Sequence, residues 1–186
     1  MRRRTHFRIW AAIGASLLIT VAFLAATGVS ANATDTATTF TVSAGALAIT
    51  TPTSAAVGAG APGTTISAAL GAVTVTDARA RLTASWTATA SSTDFTTGGA
   101  TPAETIPSSA VSYWSGAATA TTGSGTFTPQ QATALAAQPL STPRAAMVMT
   151  EGVGNNSATW DPGLVVAVPA AAVGGIYTGT VTHSAA

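Results

Sequence analysis

From Phe40 to His183 apolar and hydroxyl-bearing residues take turns along the chain, with a period of two. Val73 and Val75 alternate with Thr74 and Thr76, and Leu82, Ala84, Trp86 and Ala88 alternate with Thr83, Ser85, Thr87 and Thr89. The same rhythm puts Met147 with Met149, Leu164 with Val166 and Val168, and Tyr177 with Val181 and His183. Successive side chains of a strand point to opposite faces, so each segment predicts a strand with one oily face and one threonine face. Threonine itself favours strands, which keeps the outer face β without charges. Turn-forming residues separate the segments. Asp161-Pro162-Gly163 has the order of a type II turn, Gly174-Gly175 can supply positive φ, and Asp77 to Arg81 reads as a hairpin connection. One stretch breaks the rhythm. Thr128-Pro129-Gln130-Gln131 places a cap, a first-turn proline and a glutamine three after the cap ahead of an alanine-rich run, predicting a short helix near 129–137. The expectation is an all-β, antiparallel sandwich of immunoglobulin-like or Greek-key type with one short helical segment. Phe40, Trp86, Phe95, Tyr113, Trp114, Phe127, Trp160 and Tyr177, with buried alanines, would build a thin core, and residues 52–65 and 98–107 would be long mobile loops.

The first 33 residues follow different rules. Arg2, Arg3, Arg4 and Arg8 precede an uncharged apolar run from Ile9 to Ala26, and Ala31-Asn32-Ala33 matches a small-residue cleavage pattern, with Val29-Ser30-Ala31 as a second option. This predicts a signal-peptide helix over 1–33, cut after Ala33, and a single sandwich domain over 34–186. The long apolar run leaves an uncleaved anchor as the alternative, and Thr5-His6-Phe7 after the arginines fits a twin-arginine signal poorly. Over all 186 residues the formal charge is +1 and only 7% of residues are charged. Once residues 1–33 are set aside, Arg79, Arg81 and Arg144 face six carboxylates, a net charge of −3. Such a chain has no basic patch for nucleic acid or anionic lipid, so membrane contact is expected only through the signal segment before cleavage. With no cysteine, disulfides, thiol catalysis and cysteine-based metal centres are excluded. An exported, secreted location outside the cell follows, in a bacterial envelope rather than a disulfide-stapled secretory domain.

Candidate chemistry is sparse. After residue 33 the chain has one histidine, His183, and no serine sits in a nucleophile-elbow motif, so a Ser-His-Asp hydrolase would have to be built around the chain's end. The carboxylates occupy turn-like contexts. Asp77 and Arg79 are placed for an ion pair, and a calcium site using Asp77, Asp94 or Asp161 lacks the spaced Asp-x-Asp loop that would support it. No cofactor or metal is expected. For binding, Trp114 would point outward if Tyr113 points inward, giving a stacking platform for a sugar ring unless a loop covers it. Asn155 and Asn156, in the polar stretch Glu151 to Ser157, could bind a partner or serve as a solvated connector. The formal glycosylation sequons at Asn32 and Asn155 are read as incidental.

Four stretches together resemble a known family: Val73 to Arg79 with its Asp77-Ala-Arg79, Ser85-Trp86-Thr87-Ala88, Leu164 to Pro169, and Tyr177 to His183. The order is similar to that of the WxL-domain cell-surface proteins of Gram-positive bacteria, over roughly Phe40 to Ala186. The first Trp-x-Leu of that family falls on Trp86-Thr87-Ala88, the second begins at His183, and the glycine after the arginine is Ala80. The lysine-free, Ala- and Thr-rich usage suits a divergent actinobacterial relative. The resemblance implies a non-catalytic surface protein that associates non-covalently with the cell wall, through peptidoglycan or other surface proteins. It gives Asp77, Arg79, Trp86, Tyr177 and His183 structural roles, and Trp160 is read as structural beside them. An adhesion or pilus-like assembly subunit and, less favoured, a secreted hydrolase are the alternatives.

Overall fold

The computed structural model describes residues 34–186, so the signal segment and its cleavage site lie outside the described residues. Twelve strands follow: β1 (Leu47–Thr50), β2 (Thr65–Ala69), β3 (Val73–Ser92), β4 (Phe95–Thr96), β5 (Thr105–Ile106), β6 (Val111–Trp114), β7 (Ala118–Thr122), β8 (Thr126–Pro129), β9 (Gln138–Pro139), β10 (Arg144–Trp160), β11 (Gly163–Ala167) and β12 (Val181–Ala185). All pairings are antiparallel. A six-stranded sheet has the order β1-β3-β10-β7, with β12 also on β3 and β8 also on β10; a four-stranded sheet runs β2-β11-β6-β9, and β4 and β5 form a small hairpin. The chain is an antiparallel β-sandwich, as the two-residue rhythm predicts. Among the described residues no helix is long and apolar enough to cross a membrane.

The spine is the long pair β3–β10, and both strands change face midway. Val73, Val75 and Asp77 turn inward at odd positions, whereas Ala84, Trp86, Ala88 and Ala90 turn inward at even ones. On β10 the inward set passes from Met147 and Met149 to Asn156, Ala158 and Trp160. The register shifts at Gly152 and Gly154, and Ala80 and Glu151 take positive φ of 52° and 59°. Extra residues in a ladder bend the ribbon and reverse the faces beyond them. The ribbon therefore folds over. Strands β1 and β12, paired with opposite halves of β3, come into contact, and the four-stranded sheet lies across the concave side.

The structure departs from expectation in several places, two of them at these bulges. Asp77 to Arg81 is a bulge inside one strand rather than a hairpin, and Leu82, beyond it, is 83% exposed. Glu151 to Ser157 is bulged strand rather than a connector. The expected helix at 129–137 shrinks to a single 3-10 turn at Ala134–Ala136, because Thr128 and Pro129 pair with Val148 and Met147. Sheet pairing outweighs a short helix's weak local preference. Gly163 and Gly174-Gly175 do not take positive φ, and residues 98–107 hold a 3-10 turn and β5 rather than a plain loop. Phe40 is exposed ahead of β1, outside the core it was expected to join.

Candidate functional site

The carboxylate–arginine motif holds the bulge that folds the ribbon. Asp77, on the last inward position before the bulge, is buried, and its carboxylate takes both arms of the Arg79 guanidinium: Nε to Oδ1 and Nη2 to Oδ2, each at 2.8 Å. Arg79 N–H also donates to Oδ1 at 3.0 Å, and Nη2 donates onward to the Ser85 carbonyl at 2.8 Å, beyond the bulge. The guanidinium thus ties the two arms of the bend. Its hydrogen bonds hold Asp77 below the usual carboxylate range, against an opposing push from burial; Asn156 adds a smaller lowering influence from the facing strand.

Both asparagines belong to the same corner. Asn155 Oδ1 accepts from the N–H of Ala80 at 3.1 Å, satisfying the backbone where φ is positive. Asn156 is buried, and its Oδ1 accepts from Trp86 Nε1 at 2.8 Å, so the indole nitrogen inside the core has its partner. The four expected binding residues therefore do not come together. Asn155 and Asn156 serve the bend, while Tyr113 and Trp114 sit on β6 in the other sheet.

Tyr113 is fully buried and joins the sheets. Its Oη accepts from Trp160 Nε1 at 3.4 Å and lies 3.2 Å from His183 Nε2, with the His183 ring tilted against its own at 5.5 Å between centroids. Burial raises the phenol above its ordinary value and pushes His183 down to about 4. A neutral imidazole can accept the Tyr113 proton at Nε2, which completes a relay of core contacts from β10 through β6 to β12. Tyr177 ties loops: its hydroxyl is 2.9 Å from the Val173 carbonyl and 3.1 Å from that of Ala103.

Trp114 turns outward, opposite Tyr113, but it is half-buried rather than an open platform. Its ring lies on Gly163, the residue paired with it on β11; a methyl group there would come within 2.6 Å of the indole carbons. Glycine is required by that close approach. Asp94 accepts from the Ser108 N–H at 2.7 Å, and among the described residues no group of three His, Cys, Asp or Glu side chains gathers to hold a metal.

What the fold does assemble is a neutral hydroxyl surface. The outer face of the six-stranded sheet carries Thr74, Thr76, Thr87, Thr89 and Ser91 from β3, Ser157 and Thr159 from β10, and Thr182 and Ser184 from β12. Cross-strand pairs link them: Thr74 with Thr159 at 2.9 Å, Thr122 with Ser157 at 2.7 Å, and Thr89 with Ser184 at 2.8 Å. Sequence alternation foresees a threonine face, but not that the bulges bring two stretches of opposite parity onto one sheet face. Comparison with family models, curated proteins and solved structures finds no match to the chain.

Proposed function

We propose that this chain is an exported, non-catalytic surface protein that holds non-covalently to the cell wall, with the hydroxyl face of the six-stranded sheet as its contact surface. The observation that carries the reading is that face: rows of uncharged Thr and Ser hydroxyls on each half of the bent sheet, paired across neighbouring strands. Glycan strands of a wall present hydroxyl and amide groups that such rows can match by hydrogen bonding, without counterion release. The resemblance to WxL-domain proteins and the N-terminal signal pattern favour the same location. Of the groups the hydrolase alternative would draw on, Asp77 is paired with Arg79 and His183 is packed against Tyr113.

Co-sedimentation with purified cell walls tests the reading. Binding is expected to persist as salt is raised, and to fall when Thr76→Glu and Thr89→Glu place charge on the hydroxyl face. Retention no greater than that of an unrelated secreted protein would remove the proposal. A hydrolase reading predicts that His183→Ala abolishes turnover of wall fragments, whereas the proposed function predicts no turnover in either form.

A further inference from the structure

The segment from Thr51 to Ala61, which joins β1 of one sheet to β2 of the other, lines both main cavities. Among the described residues its backbone hydrogen bonding is confined to its end, where the Ala61 carbonyl accepts from Thr64 N–H. Beside it, β2 forms an edge of the four-stranded sheet. The bonds Leu70 N–H to Pro162 carbonyl and Val168 N–H to Thr64 carbonyl set the phase, so the even positions of β2 face β11. Thr65, Ser67 and Ala69 therefore turn their N–H and C=O groups to the open edge. Sheet edges are normally guarded by lysine, proline or inward charge, and Thr-Ile-Ser-Ala-Ala has none of these. An apolar crevice of about 600 Å3 opens alongside, bounded by Ile66, Ile106, Val166, Val168 and Ile176 and lined by no charged side chain.

A second unpaired feature has the matching chemistry. Thr39-Phe40-Thr41-Val42-Ser43 has strand alternation but belongs to no sheet, and Phe40 is 88% and Val42 74% exposed. An alternating apolar strand and an unguarded edge over an apolar crevice are the two halves of strand addition.

We propose that copies of this chain join head to tail, residues 38–43 of one copy adding as a strand to the β2 edge of a second, with Phe40 and Val42 entering the crevice. Each copy offers one strand and one edge, so the contact is heterologous and extends rather than closes. The inference stands independently of wall attachment.

Sedimentation of the protein purified from the cells that make it, across a range of concentration, reads the assembly directly. Mass is expected to rise stepwise with concentration. Ser67→Pro removes an outward N–H without breaking a ladder bond, and Phe40→Asp spoils the incoming strand. Each is expected to weaken association by about tenfold or more while thermal unfolding of the monomer stays unchanged. Mixing the two variants should restore a single contact, because one retains the strand and the other the edge, and growth should stop at a dimer. A peptide of residues 36–44, added to the unaltered protein, should shorten the assemblies without any substitution. A strict monomer at the highest soluble concentration, association indifferent to both variants and the peptide, or failure of the mixture to form a dimer would each overturn the proposal.

Discussion

At His183 one side chain joins packing to pH dependence. Burial holds its folded pKa down to about 4, below the ordinary value of 6.5. Between those values the unfolded chain binds a proton that the folded one refuses, so stability is complete above pH 6.5 and declines as pH falls towards 4. The decline should reach about 2–3 kcal/mol, less than the full shift implies because the ring keeps some contact with water. Urea unfolding at successive pH values checks this, and His183→Gln should flatten the slope in that window. Asp77 acts in a lower window: its pKa is depressed, so its contribution is present at neutral pH and disappears as pH drops below the ordinary carboxylate range. Asp77→Asn leaves Arg79 without its charge partner and should cost about 2–4 kcal/mol. Adding Arg79→Met should recover part of that loss, since the pair and not either residue ties the bend; a double-mutant cycle with strictly additive losses would contradict the tie. This ion pair was legible from spacing, because only three arginines follow residue 33. The partners of Trp86 and Tyr113 were not: Asn156 and His183 each lie 70 positions away along the chain.

Among the elements, alternation identified the long strands β3 and β10 with β11 and β12, missed short ones such as β1, β2, β7 and β8, extended the last strand back to Tyr177 although β12 begins only at Val181, and failed wherever a bulge intervened. Leu82 shares the parity of Ala84 and Trp86 yet faces solvent, because the rhythm read from sequence takes no account of extra residues in a ladder. Composition hid those residues well. Glu151 and Ala80 adopt positive φ with ordinary side chains, where glycine would have announced a turn. That choice has a measurable consequence. The left-handed conformation costs alanine about 1 kcal/mol or more, while glycine adopts it freely but loses more entropy on folding, so Ala80→Gly should stabilise the protein by about 0.5–1 kcal/mol. Thermal denaturation would register a raised midpoint; a lowered one would mean that the Ala80 methyl packs productively. The Thr128-Pro129 cap signal misled for a related reason. A proline at the end of a strand is as acceptable as one at the start of a helix, and the pairing of Pro129 with Met147 decided between them.

Over the whole molecule, the order of pairing sets how folding must proceed. Strand β3 meets β10 and β12, the latter at the far end of the chain, and the chain crosses between the two sheets repeatedly, from β1 to β2, β2 to β3, β6 to β7 and β10 to β11. Such non-local pairing must meet loop-closure entropy before contacts repay it, which places folding in the milliseconds-to-seconds range typical of β-sandwiches. The bent ribbon adds a sharper expectation. Trp86 and Trp160 lie on opposite sides of the bulge, yet Trp86 is bonded to Asn156, and Trp160 reaches His183 through Tyr113, so each half of the ribbon is secured by a residue of the other half or of β12. Neither half can hold its indole in place until the corner has closed. Stopped-flow refolding of Trp86→Phe and of Trp160→Phe, each read by the remaining indoles, should therefore give one main phase with the same rate in both variants once corrected for stability. Two separate phases, one belonging to each half, would mean that the corner closes after the halves have formed, and that the Asp77–Arg79 tie stabilises a finished bend rather than directing it.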